Sequence, residues 1–280
     1  WSALDPDRQF AGMLIGGGTN VHTLGMGRRG EFGGQGIVAA EAPAVWLGST
    51  LAAALRDLPL AWNAPGVPHP LRPGVDALAA AAFAAADYLS LRDAGSARMA
   101  KAPGAKIVPD PILGLARVWP REGLAEDFLR LCAQMGLERQ DRILAVHVRQ
   151  RSLGGEPIPA FADGLAAACV SLDLTPVLIG LGTAHSDDRI AREITAALRD
   201  RGIAAAALDR PEGLRDVAAL LAHAKAYAGS SLHGYIAAAA YGVPGILVAR
   251  PAYRKFDGLV AHLERPGDLV NSWDAALAAL

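Results

Sequence analysis

The strongest constraint on this chain is a rhythm. A short apolar run, a turn containing Gly or Pro and a helical stretch recur along all 280 residues. Apolar runs fall at 12–15, 60–63, 88–91, 106–108, 143–148, 175–179, 204–208, 226–228 and 245–248. Helical stretches lie near 37–56, 74–86, 94–101, 123–136, 160–172, 187–200, 212–223, 232–241 and 271–280. Strands alternating with helices predict βαβ units around parallel sheets. Runs such as Ile143-Leu144-Ala145-Val146 fit a sheet covered on both faces. The polar stretch from Arg117 to Glu122 follows the Pro109-Asp110-Pro111 turn and predicts a seam near residue 120. The expected fold is therefore α/β, with two Rossmann-like domains over 1–120 and 121–280. The second reads as complete with five strands; the first reads as lacking an opening strand. The absence of a 20–50 residue repeat argues against a solenoid.

Composition narrows the function classes. A hydrophobic fraction of 52% is far above that of a disordered chain, and runs such as Ala79–Ala82 and Ala237–Ala240 supply much of it. A formal net charge of -1 argues against a protein relying on general attraction to nucleic acid. Two cysteines, Cys132 and Cys169, have no ligand spacing and sit in apolar helical surroundings. They read as buried free thiols and point to a reducing, cytoplasmic compartment. No apolar stretch reaches the roughly 18 residues needed to span a bilayer, and no signal peptide is evident. The chain opens on Trp1 rather than Met, which leaves room for a preceding segment.

Chemistry can sit where strands end, because ligands of open α/β sheets bind at the carboxyl edge. Gly16-Gly17-Gly18-Thr19-Asn20 follows the first run and reads as a tight turn or a ligand loop. Its spacing is neither a P-loop nor a dinucleotide fingerprint. The Gly25–Gly36 stretch, with Arg28, Arg29 and Glu31, reads as a mobile surface loop or a substrate cover. Arg92 and Asp93 end the 88–91 run; the arginine is either an anion clamp or half of a pair that caps the next helix. His147 and Arg149 close the 143–148 run on one face. Arg149 is a second candidate clamp, while His147 reads as a packed, hydrogen-bonded histidine rather than a catalytic one.

Gly229-Ser230-Ser231-Leu232-His233-Gly234 is the sharpest constellation, leading from a short strand into a helix. The helix start can hold an anion and the histidine can exchange a proton near neutral pH. A capping serine beside a structural histidine is the other reading. Arg250, Arg254, Lys255 and Asp257 follow the last run and read as a pocket wall or a solvated loop. No GxSxG elbow and no metal motif appear.

Together these pieces resemble the polysaccharide pyruvyl transferases. The resemblance rests on Gly229–Gly234 followed by Ala237–Ala240 and Tyr241-Gly242-Val243-Pro244, and on Ile15–Gly18, Tyr88–Asp93 with Ser96, Asp110-Pro111 and Lys255-Phe256. It spans about residues 12 to 260. It implies a GT-B-like pair of domains with the active site in the cleft between them. The implied activity is transfer of the enolpyruvyl unit of phosphoenolpyruvate onto sugar hydroxyls, with release of phosphate. Family positions carry over to His233 and Arg92 as catalytic residues. The expected substrate-binding set is Gly17, Gly18, Thr19 and Asn20 in the front loop, Arg149, then Ser230, Ser231, Leu232 and Gly234, with Arg254 and Lys255 behind. Some members carry an arginine where this chain has Ser231; Arg149, Arg254 or Lys255 then supplies the missing cation.

The usual opening Gly-Asn-x-Gly-Asp turn has no match here, so either the start is trimmed or the chain is a divergent member. No cofactor is expected, phosphoenolpyruvate being a donor substrate, and the expected partners are that donor and a saccharide acceptor. A lipid-linked acceptor would place the protein at the inner face of the membrane. Two rival readings stay open: a nucleotide-sugar glycosyltransferase of the same architecture, and a non-catalytic family member acting in binding or assembly.

Overall fold

The structure is a computed structural model, described over residues 9–18, 21–22, 41–181 and 186–280. The chain forms two compact units, Trp1–Pro111 and Ile112–Leu280.

In the first unit the described elements run β1 (Met13–Ile15), α1 (Glu41–Leu55), β2 (Leu60–Trp62), α2 (Val75–Ala84), β3 (Tyr88–Leu91), α3 (Ala94–Ala100) and β4 (Lys106–Ile107). The strands form one parallel sheet in chain order, with Ile15 opposite Trp62, Trp62 opposite Leu89 and Leu91 opposite Ile107. Trp62 anchors the core edge-on between Trp46 and Phe83, at centroid distances of 6.1 and 5.0 Å. Truncating such a buried aromatic costs about 3–5 kcal/mol. The front loop expected to bear Thr19 and Asn20, and the Gly25–Gly36 stretch, lie outside the described residues apart from Gly16–Gly18.

The second unit continues with α4 (Leu115–Val118), α5 (Ala125–Met135), β5 (Ile143–His147), α6 (Ile158–Leu172), β6 (Thr175–Ile179), α7 (Asp187–Arg199), β7 (Ala206–Leu208) and α8 (Leu214–His223). It closes with β8 (Ala226–Gly229), α9 (Leu232–Ala240), β9 (Gly245–Val248), α10 (Arg254–His262), β10 (Leu269–Val270) and α11 (Trp273–Ala278). Its sheet is parallel throughout, in the order β10-β9-β8-β5-β6-β7. Every residue of β5 is buried. Ile143 and Ala145 join the core on one face, and Leu144 and Val146 the core on the other, as expected for a sheet covered on both sides.

Three features differ from the sequence reading. The second sheet has a sixth strand, β10, whose two residues are too few to show a period. Arg254, Lys255 and Asp257 lie in α10 rather than in a loop, because Phe256, Leu259 and Val260 recur at helical spacing and are buried. Residues 112–119 pack with the second unit: Ile112, Leu113, Leu115 and Trp119 lie against its core, and Tyr241 Oη donates to the Trp119 carbonyl at 2.9 Å. The division between units thus falls at Pro111, ahead of the seam read near residue 120. Among the described residues no helix is long and apolar enough to cross a membrane.

Candidate active site

Parallel strands deliver all their carboxyl ends to one edge of a sheet, and in each unit the candidate residues gather there. At the edge of the first sheet four loops are stitched together. Ser90 Oγ accepts from Ala64 N at 3.0 Å and donates to the Trp62 carbonyl at 2.9 Å. Ser96 Oγ accepts from Val67 N at 3.0 Å. These two serines pin the loop after β2, whose Gly66 N donates to the Gly18 carbonyl at 2.6 Å. The Arg92 guanidinium packs against Gly66, so closely that a Cβ there would sit 2.8 Å from Cζ.

Arg92 is 8% exposed and faces two carboxylates, Asp93 through Nε and Asp110 through Nη1, each at 3.6 Å. Both distances exceed a hydrogen bond, so the pairs are coulombic. Asp93 is committed elsewhere as the N-cap of α3, where its Oδ1 accepts from Ser96 N at 2.6 Å. The capping half of the sequence reading therefore belongs to Asp93, while Arg92 turns inward to the strand edge. Gly17 packs against Pro111, its missing Cβ 3.3 Å from Pro111 Cδ, and Gly18 adopts a φ of 94° in the region that favours glycine.

In the second sheet β5 has β6 on one flank and β8 on the other, so the direction of winding reverses at β5. Such a reversal opens a crevice outside the carboxyl ends. Ser230 bridges it: its N–H donates to the His147 carbonyl at 2.9 Å, and its Oγ accepts from Arg149 N at 3.0 Å. Ser231 is the N-cap of α9, accepting from Gly234 N at 3.3 Å.

The two glycines of the motif have a packing reason. A Cβ at Gly229 would lie 2.6 Å from Tyr227 Cζ, and one at Gly234 would lie 2.5 Å from Tyr227 Oη. Their bareness admits the Tyr227 hydroxyl, which donates to the Ser231 carbonyl at 3.2 Å. Burial pushes the phenol's pKa far above its ordinary value, so it remains a donor. Leu232 turns its side chain into the core, and what it can offer a ligand is its backbone amide. In the run Ser230–Tyr235 only His233 is exposed. His233 is thus the one side chain of this run that reaches the surface.

Arg149, half-buried, has an Nε without a hydrogen-bond partner. The loops after β5 and β9 meet further along: Arg250 lies on Gly154 and donates to its carbonyl at 3.3 Å, and Arg151 stacks over Tyr253 at 5.3 Å. Arg254 and Lys255 open α10, with the Lys255 ammonium 5.6 Å from the centre of the Tyr253 ring. The pair that the sequence reading missed is His147–Asp187. His147 Nε2 lies 3.0 Å from Asp187 Oδ2, with both side chains buried. Among the described residues no group of three metal-ligating side chains occurs. A cavity of about 560 Å³ beside β7 contains none of the candidates, and its arginines are engaged, Arg192 with Asp188 and Asp209 and Arg199 with the Ala205 carbonyl.

Two parallel sheets with glycine-lined carboxyl-edge loops define an α/β protein of the GT-B fold class. UDP-GlcNAc 2-epimerase from Methanocaldococcus jannaschii aligns with a TM-score of 0.56 at 14% identity, over 83% of this chain and 64% of that one. The Neisseria meningitidis enzyme, bound to UDP-GlcNAc, aligns at 0.50 and 12% identity, over 83% and 62%. The chain spans less than two thirds of the length of either structure, and the likeness is one of fold. No curated protein matches the chain. Within this class the chain belongs to the polysaccharide pyruvyl transferase family, whose profile matches residues 6–251.

Proposed function

We propose that the protein transfers the enolpyruvyl unit of phosphoenolpyruvate to two hydroxyls of a saccharide, forming a pyruvate ketal and releasing phosphate. The observation that carries this reading is the exposed His233 in the otherwise buried Ser230–Tyr235 run, at the reversal point of the second sheet.

The donor bears a phosphate and a carboxylate. Arg92, Arg149 and the first-turn amides of α9 are the groups proposed to receive them, with Gly17, Gly18, Arg254 and Lys255 as further contacts. In the first addition one sugar oxygen bonds to C2 of the donor while C3 gains a proton and becomes a methyl group. In the second, another sugar oxygen bonds to C2 as the C2–O bond to phosphate breaks and phosphate leaves with its electron pair. Two hydroxyl protons are lost; one balances C3 and the other leaves with phosphate. His233 is proposed to relay them. Acid–base catalysis of this kind contributes about 10²- to 10⁴-fold, so His233→Ala should lose that factor in kcat and retain its fold.

The direct test is thermal denaturation with phosphoenolpyruvate, using the wild type and Arg92→Ala. A ligand at a hundredfold excess over Kd stabilises a folded protein by about 2.7 kcal/mol. A shift in the wild type that is lost in the variant supports the donor site. Stabilisation by a UDP-sugar, with none by phosphoenolpyruvate, overturns the reading.

A further inference from the structure

His147 is the common anchor of the strand reversal. Its side chain meets Asp187, the first residue of α7, at 3.0 Å, which ties β5 to the crossover that follows β6. Its carbonyl accepts from Ser230 N at 2.9 Å, which ties β5 to the crossover that follows β8. The Ser230 hydroxyl then accepts from Arg149 N at 3.0 Å. Two bonds in series thus run from a carboxylate on one flank of the reversal to the serine turn on the other, and a third returns from that serine to the Arg149 backbone.

The chemistry of the pair is unusual for a packing contact. His147 is 0% exposed and Asp187 3%. Burial lowers the imidazole pKa more than the neighbouring carboxylate restores it, which favours the neutral ring. A carboxylate can only accept, so the ring proton sits on Nε2 and Nδ1 is left as an acceptor. Neither Nδ1 nor Asp187 Oδ1 has a hydrogen-bond partner, nor has Arg149 Nε beside them. Apolar side chains would fill the same space without leaving buried polar atoms unmet, a cost that folds retain mainly where a site needs it.

We propose that Asp187 is a positioning residue for the donor site: through His147 it holds the end of β5, and with it the Ser230 hydroxyl and the Arg149 backbone, in the geometry that receives the donor. The assignment rests on the proposed function for what the site binds, but the positioning itself is a property of the hydrogen-bonded chain. Asp187 touches no substrate in this scheme and acts only through His147 and Ser230.

The test combines amide hydrogen exchange with steady-state kinetics on the full chain, for wild type, Asp187→Ala and Asp187→Asn. Asparagine can still accept from Nε2–H, so it keeps the bond without the charge. Alanine should speed exchange at the Arg149 and Ser230 amides about tenfold or more, the effect of losing one buried bond to a charged group, while Ala145 and Val177 exchange as before. It should also lower kcat for phosphoenolpyruvate-dependent transfer by up to about a hundredfold, since displacements near 1 Å carry that penalty. Asparagine should restore both readouts.

Unchanged exchange at Arg149 and Ser230 in the alanine variant overturns the proposal. So does acceleration spread evenly over β5 and β6, which makes the pair a general stabiliser. Should the alanine variant fail to fold, Asp187→Ser carries the same comparison. If the wild type neither binds nor turns over phosphoenolpyruvate, the proposed function falls, and the exchange comparison still decides the role of Asp187.

Discussion

Replacing Gly66 with alanine separates a working Arg92 from one that only packs. Gly66 has no left-handed φ, so alanine adds no backbone strain and the whole effect is steric. The new methyl carbon would lie 2.8 Å from Arg92 Cζ and 3.1 Å from the Gly18 carbonyl oxygen. Arg92 Nη2 would be closer still, and ordinary contact begins near 3.4 Å, so the guanidinium must retreat by about 1 Å, in a direction set by the methyl. Arg92 is 8% exposed and held between Asp93 and Asp110, and Gly66 N is bonded to Gly18, so neither neighbour yields freely. Overpacking of this kind costs about 1–3 kcal/mol of stability.

If Arg92 receives the donor, the displacement also removes a bidentate contact, and misplacement near 1 Å reduces turnover by up to about a hundredfold. The assay is calorimetric titration of phosphoenolpyruvate into wild type and Gly66→Ala, beside a urea melt of each. Weakened donor binding in a folded variant is the expected result. A variant with the lowered urea midpoint but wild-type donor affinity would refute the reasoning and leave Arg92 a structural residue.

The remaining predictions probe the second unit. Ser231→Ala removes the cap on α9 and should cost about 0.5–2 kcal/mol in urea unfolding, with Ser231→Asp retaining most of it; an unchanged alanine midpoint would show that the hydroxyl serves only a ligand. Burial lowers the His147 pKa below the ordinary imidazole value near 6.5, so as pH falls the unfolded chain takes up the proton first. The stability present above that value should therefore be lost as pH drops toward the folded pKa, by up to about 1.4 kcal/mol per pH unit. Wild type and His147→Gln compared by urea unfolding across this window should differ in slope, and parallel curves would contradict a buried neutral imidazole. Burial lifts the Cys132 thiol to about 11 and the Cys169 thiol to about 12, so a thiol reagent at mildly alkaline pH should label neither until the chain is unfolded; rapid native labelling would count against the packing of α5 and α6.

Local chemistry made much of this fold readable. The run at 245–248 coincides with β9 and that at 175–179 with β6, because a strand buried on both faces is dominated by apolar residues. The same logic fails for β10, whose Leu269 and Val270 are too few to form a pattern. The helix at Arg254–His262 was legible in the spacing of Phe256, Leu259 and Val260, but its three charged residues resemble a loop when read without that period. The seam was misread for a related reason: Arg117 and Arg121 suggest solvent, whereas Ile112, Leu115 and Trp119 between and before them are committed to the second core.

For the candidate site, the sequence alone was enough to place Arg92, Arg149 and the Ser230–Gly234 run at strand ends, since a strand ends where its apolar run does. It could not say which strand ends are neighbours. Gly66 and Arg92, 26 positions apart, meet because β2 and β3 are adjacent and parallel, and Asp187 reaches His147 across 40 positions because β6 flanks β5. Nor could residue type distinguish the glycines of the motif, which make room for the Tyr227 hydroxyl, from glycines that admit a ligand. Strand order and side-chain proximity are set by packing between segments far apart in the chain; single-sequence periodicity reports only how each segment is buried, so these contacts became visible only in the folded structure.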